Sequence, residues 1–178
     1  MRAGRRAGPH RLSTPGRSVM NLDERQQLQD TVQKFATSVD TLDFDLYRAI
    51  FADECLYDVS SFSGAPPARV RASDWVAAIE PMLRGFDATQ HFLSNFTFER
   101  EAHDARVGCY VLAEHLLTGA AGGETVTLGG RYTFTLRSAR DDDWRIHGFR
   151  IEALWQRGNL DLYARAIALS NSGQHRRP

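Results

Sequence analysis

Thr89-Gln90-His91-Phe92-Leu93-Ser94-Asn95-Phe96-Thr97-Phe98-Glu99 is where the chain stops reading as helix and starts reading as sheet. Upstream of it, apolar residues recur every three or four positions. From Thr89 onward, β-branched and aromatic residues fill long runs broken by turns. Three further runs follow at 106–118, 124–138 and 144–156. Ala120-Ala121-Gly122-Gly123 and Arg140-Asp141-Asp142-Asp143 read as hairpin loops, and a short helix over 159–169 follows the last strand. Helices first and long antiparallel strands after predict an α+β fold. Its form is a cone-shaped α+β barrel: a curved, mostly antiparallel sheet with N-terminal helices over an apolar pocket.

Working back toward the N-terminus, Asn21 caps a helix and Glu24 stands at the position that reaches back to the cap. Leu28, Val32, Phe35, Ala36 and Val39 then form one apolar stripe at helical spacing, and Asp40 falls on its edge. A second short helix spans 46–52, a short strand 55–60 and a loop 61–71 holding Gly64, Pro66 and Pro67. Ser73 caps a third helix with Trp75, Val76, Ile79, Met82 and Leu83, which Gly85 ends. One domain over 20–170 is expected, with residues 1–19 a disordered leader and 171–178 a loose tail.

The chain has 178 residues, 42% of them hydrophobic, enough for one domain with a real core. Basic and acidic residues balance at 22 each. That argues against a nucleic-acid or membrane-surface binder. Arginine supplies all the basic charge except Lys34. Cys55 and Cys109 have neither zinc nor redox spacing and read as buried free thiols of a cytoplasmic protein. No run reaches the roughly 18 apolar residues of a membrane span. The leader lacks the apolar run of a secretory signal. No Gly-rich phosphate loop and no short-range ligand spacing are present, so no cofactor and no metal are expected.

Two residues are polar in apolar surroundings. His91 stands among Phe92, Leu93 and Phe96; Asp40 sits in the last turn of its helix, where a carboxylate is unfavourable by roughly 0.3–1 kcal/mol. An Asp beside a His orients the ring and stabilises its protonated form, the arrangement of a general base. Taken alone, His91 reads more readily as a core histidine held by the backbone. Alternation places Ala113, His115 and Leu117 on one face of their strand and Glu114 on the other. Arg131 has two open readings: a cavity cation for a carboxylate or enolate oxygen, or half of a salt bridge on the outer sheet face. Tyr57, Trp75, Phe149 and Trp155 are the aromatic candidates for stacking on a planar substrate, although Tyr57 falls near the opposite face of its strand. His147 and His103 read as structural or solvated.

Three stretches carry a family likeness. They are Val39-Asp40-Thr41-Leu42-Asp43-Phe44-Asp45 with Phe51-Ala52-Asp53-Glu54 and Leu56-Tyr57-Asp58; Thr89-Gln90-His91-Phe92; and Trp144-Arg145-Ile146-His147-Gly148-Phe149 with Trp155. Over about residues 22–169 the chain resembles the SnoaL-like branch of the nuclear-transport-factor-2-like superfamily, and within it the scytalone dehydratases. The resemblance implies that Asp40 and His91 are the catalytic pair and that His115 is a second pocket histidine. The related dehydrochlorinases use a similar pair to remove a proton from carbon. Two tyrosines that hold a water in the scytalone dehydratases correspond to Val39 and Val59, and polar residues of a later strand to Arg131 and Thr133. The expectation is therefore a cofactor-independent lyase or isomerase, of dehydratase or cyclase type. It would take a proton next to a carbonyl of a small apolar or polyketide-like metabolite other than scytalone. The alternative is a non-catalytic small-molecule-binding or protein-interaction module of the same fold. A broad sheet face predicts a homodimer or homotrimer.

Overall fold

The computed structural model describes residues 20–101, 103–138, 143–174 and 177. The leader over 1–19 and most of the acidic hairpin at 140–142 lie outside the described residues. Helix α1 (Leu22–Thr41) starts as its residues dictate, with Asn21 accepting a hydrogen bond from the Glu24 N–H at 2.8 Å. The Glu24 carboxylate departs from the expected capping box and pairs with Arg100 instead. Leu42 ends the helix in the left-handed conformation, and its N–H returns to the Ser38 carbonyl. Asp43 caps α2 (Phe44–Ile50), which runs directly into β1 (Phe51–Asp58).

The stretch 61–71 is not simply loop. A short helix, α3 (Ser60–Ser63), precedes the edge strand β2 (Ala68–Arg71), which pairs antiparallel with β1 through Val70 and Cys55. A strand this short carries too few alternations to be read from residues alone. Helix α4 (Ala72–Gly85) leads into the four long strands, β3 (Ala88–Glu101), β4 (Asp104–Leu116), β5 (Thr125–Ser138) and β6 (Trp144–Gly158), and α5 (Leu162–Asn171) follows. The sheet order is β2-β1-β6-β5-β4-β3, with only the β1–β6 pair parallel. This is the mixed α+β, curved, mostly antiparallel sheet expected from the residues.

The core lies between the concave sheet face and the helices. Phe35 of α1 stands at its centre, with ring centroids 4.9 Å from Phe149, 5.3 Å from Phe134 and 5.8 Å from Tyr132. Burying each such ring is worth about 1.5–3 kcal/mol, which is what holds α1 across the sheet.

Register shifts in the long strands decide which side chains face inward. In β3 the pairing slips between Ser94 and Thr97, and Asn95 takes a positive φ of 54°, a conformation asparagine tolerates better than most residues. One extra residue exchanges the two faces. Thr89, His91 and Leu93 point inward before the bulge, and Phe96 and Phe98 join the core after it. In β6 the pairing skips Leu154, with Ala153 opposite Gly130 and Trp155 opposite Gly129.

Among the described residues no helix is long and apolar enough to cross a membrane. Cys55 and Cys109 are both free and buried, and burial pushes each thiol up to about 12. The C-terminal stretch is not loose at Arg177, whose guanidinium donates to the carbonyls of Asp40 and Leu83, each at 2.7 Å. A cation there faces the carbonyl ends of both α1 and α4, where positive charge is favoured.

Candidate active site

Asp40 and His91 lie 51 residues apart in the chain. The last turn of α1 and the start of β3 bring them together. The Asp40 carboxylate accepts three hydrogen bonds. His91 Nδ1 donates to Oδ1 at 2.7 Å, the His91 backbone N–H donates to Oδ2 at 2.8 Å, and Thr89 Oγ1 donates to Oδ1 at 3.0 Å. An ionised carboxylate only accepts, so Nδ1 carries a proton, and in the neutral ring the lone pair is then on Nε2. The His91 side chain is 8% exposed and that of Asp40 20%. The pair is shielded but not sealed. The carboxylate that is unfavourable at a helix end is thus held by three donors, and the nearby Arg177 guanidinium donates to the backbone carbonyl of Asp40.

His91 opens into a cavity of about 360 Å³ between the sheet and helices α1, α2, α4 and α5. Most of its wall is apolar, including Phe35, Val39, Val59, Trp75, Leu128, Phe149 and Ile151. The polar exceptions include His91, His115, Tyr47, Tyr132 and Tyr163. The ring of His115 stands 5.8 Å from that of His91. Its Nδ1 is buried without a hydrogen-bond partner. Among the described residues no three His, Cys, Asp or Glu side chains gather closely enough to hold a metal ion.

The model of the SnoaL-like domain matches residues 20–150. The chain belongs to the SnoaL-like domain family. Solved structures share the fold of this SnoaL-like protein. The Kfla4162 protein of Kribbella flavida is 26% identical with a TM-score of 0.74, covering 80% of this chain and 97% of its own. A provisionally named scytalone dehydratase of Novosphingobium aromaticivorans is 19% identical with a TM-score of 0.67, covering 78% of this chain and 89% of its own. The type 3 hexachlorocyclohexane dehydrochlorinase LinA of Novosphingobium barchaimii is 18% identical with a TM-score of 0.63, covering 78% and 92%. No curated protein matches the chain.

The site of this SnoaL-like protein gathers some of the residues expected in it and excludes others. Trp75 and Phe149 line the cavity with His91 and His115. Arg131 does not. It lies on the outer sheet face, 3.5 Å from the Glu152 carboxylate and over the ring of Tyr110. The inward residues of β5 are Leu128, Tyr132, Phe134 and Leu136, which places Arg131 on the opposite face by simple alternation. Trp155 is also outside. Counting from Phe149 and Ile151 puts it inward, but the β6 bulge at Leu154 turns it out, where its indole lies across Gly129. A Cβ on Gly129 would stand 2.1 Å from that ring, so only glycine fits there. Tyr57 is buried behind the cavity wall, stacked on Trp75 with centroids 4.2 Å apart. His147 is 3.7 Å from the Asp104 carboxylate, far along the sheet from the site.

Tyr132, Tyr163 and Arg177 were not singled out in the sequence. The even-numbered alternation of β5 points to Tyr132. Nothing local points to Tyr163 or Arg177, because both reach the site from the C-terminal segment.

Burial is the chief cause that drives the His115 imidazole down to about 3 from its ordinary 6.5. The unfolded chain takes up a proton near 6.5 and the folded one only near 3. Between those values the unfolded state binds more protons, so stability falls as the pH drops through that window. His115→Gln should flatten this part of the profile. Thermal unfolding of both forms, scanned from about pH 7 to about pH 4, checks it. Parallel profiles would mean that His115 takes up its proton in the fold.

Proposed function

We propose that this protein is a lyase or isomerase that begins by removing a proton next to a carbonyl of a small, largely apolar metabolite. The observation that carries the reading is the Asp40–His91 pair at 2.7 Å opening into an apolar cavity. Nε2 of His91 takes the proton, and the C–H electron pair moves toward the carbonyl oxygen to form an enolate. The imidazolium, stabilised by Asp40, then gives its proton to a leaving hydroxyl, which departs as water. Alternatively it returns the proton to another carbon. The first course is dehydration and the second a double-bond shift; in a ring closure the enolate carbon instead bonds to a second carbonyl carbon of the substrate, whose π electrons move to its oxygen, and the imidazolium protonates that alkoxide. The side chains of this chain supply each proton transfer. Two of the structural neighbours, a dehydratase and a dehydrochlorinase by name, are named for eliminations and support the same class. Val39 and Val59 both line the cavity, so no hydroxyl enters from those two positions, in keeping with a substrate other than scytalone.

A panel of candidate substrates tests the reading. The protein is incubated in deuterium oxide with cyclic ketones and β-hydroxyketones, and mass spectrometry follows water loss or deuterium uptake. Turnover that depends on His91 supports the proposal. A panel left unchanged, with ligands bound in the cavity, favours the binding-module reading.

We further propose that the chain works as a homo-oligomer in the cytoplasm, the buried free thiols fitting a reducing compartment. Phe92, Leu112 and Trp155 stand in one row across the outer sheet face, joined through the pairs Phe92–Leu112, Leu112–Gly129 and Gly129–Trp155. They are 57%, 42% and 47% exposed. A contiguous apolar row of this kind fits a second copy of the chain. Leu112→Glu should convert the assembly to monomers in sedimentation velocity. An unchanged sedimentation coefficient would place the contact elsewhere.

A further inference from the structure

Beyond the dyad, the cavity holds a second polar feature. Three rings stand in a row, His91, His115 and Tyr163, with centroids 5.8 Å apart for the first pair and 5.3 Å for the second. All three line the cavity. His115 is 5% exposed, and its Nδ1 has no hydrogen-bond partner. The Tyr163 hydroxyl is likewise buried and unpartnered. A buried polar atom left unpaired costs roughly 1–3 kcal/mol. Two of them on one wall of an otherwise apolar cavity mark a place where a bound molecule supplies the missing partner. The hydroxyls of Tyr47 and Tyr57 are also buried and unpartnered, but they lie close to each other at the Cys55 and Trp75 end.

We propose that Tyr163 contacts the substrate, its hydroxyl donating to the substrate's oxygen while the free Nδ1 of His115 accepts a hydrogen bond from an enol or phenol O–H at the same place. This deepens the reading above and rests on the same cavity being the reaction site. The protonation states suit the task. Burial holds His115 neutral and pushes the Tyr163 phenol up to about 12. Near neutral pH the phenol therefore keeps its proton and donates it in a hydrogen bond. The neutral imidazole spends its one N–H on the Val126 carbonyl, so its Nδ1 offers an acceptor site. An oxygen that gains negative charge as His91 takes the proton binds more tightly to the Tyr163 hydroxyl than the carbonyl did, which lowers the barrier. The substrate class that follows is a planar ketone or phenol. Its oxygen lies at the α5 end of the row and its acidic carbon toward His91.

A titration with para-nitrophenol, a planar phenol with an intrinsic visible signal, tests this on the full chain. The wild type should bind saturably, and Tyr163→Phe should weaken binding at least about tenfold. The titration reads binding without turnover, and Arg131→Ala, on the outer sheet face, should keep the affinity within about threefold. A dyad that proves inactive therefore leaves this result standing, and a failed receiver leaves the dyad standing. Should Tyr163→Phe not fold, tyrosine labelled at Cζ reads the same contact in the wild type, where the resonance assigned to Tyr163 through Phe variants of the other tyrosines should move as para-nitrophenol saturates. No saturable binding by the wild type, equal binding by Tyr163→Phe, or resonances that stay fixed at saturation would overturn the proposal.

Discussion

His91→Ala lowers turnover by about 10²–10⁴-fold, the usual worth of a positioned general base, and leaves the fold in place. The structural half of that expectation follows from the three donors on Asp40. Removing the imidazole deletes the Nδ1 bond, yet the Thr89 hydroxyl and the backbone N–H of residue 91 still hold the carboxylate. The catalytic half follows from geometry. Among the cavity-lining side chains, His91 is the one that a carboxylate holds with its second nitrogen free. Deuterium uptake into whichever panel ketone the wild type accepts, with thermal unfolding as the control, measures both. Activity near the wild-type level would sink the proton-abstraction mechanism. Lost activity together with lost cooperative unfolding would assign His91 to the core instead.

Asp40→Asn is expected to cost a comparable factor, about 10²–10⁴-fold, through the tautomer of His91 rather than through charge alone. The amide oxygen can keep the bond from the His91 backbone N–H. The amide nitrogen then faces Nδ1 and donates to it, so Nδ1 becomes the acceptor and the ring proton moves to Nε2. The nitrogen that should take the proton is then already protonated. Asp40→Ala separates this from a packing effect. It removes the acceptor that the Thr89 hydroxyl and the His91 N–H share and should cost roughly 1–3 kcal/mol of stability. The two variants thus share the loss of rate and differ in melting temperature. An Asp40→Asn protein with full activity would show that the carboxylate only shapes the end of α1.

Most of the fold was legible because long elements repeat their signal. The stripe Leu28, Val32, Phe35, Val39 marks one face of α1, and the β-branched and aromatic runs from Thr89 onward mark the sheet. Short elements were not. Neither α3 nor β2 is long enough to show a period, and β2 exists because β1 offers it a partner. The dyad was legible in a different way. Asp40 and His91 each violate a local preference, and a resemblance paired them, while the 2.7 Å contact is a property of how α1 crosses β3.

The candidates that failed show where local reading ends. Arg131 was an open choice between two faces, and the alternation of Tyr132, Phe134 and Leu136 decides it. Trp155 could not be decided that way, since the bulge at Leu154 inverts the parity, and a bulge depends on the partner strand as much as on its own residues. Tyr163 lay in a segment whose sequence says only that it is a helix.

By itself the sequence determined the order of the long elements, the α+β class, the apolar face of α1 and the two polar residues out of place in apolar surroundings, because propensity and periodicity act between neighbours along the chain. The tertiary structure alone decided that Asp40 meets His91, that Arg131 and Trp155 stay outside, and that Tyr163 and Arg177 arrive from the C-terminal segment. Those contacts join residues as far as 137 positions apart, and they are set by strand register and helix docking, which no local preference encodes.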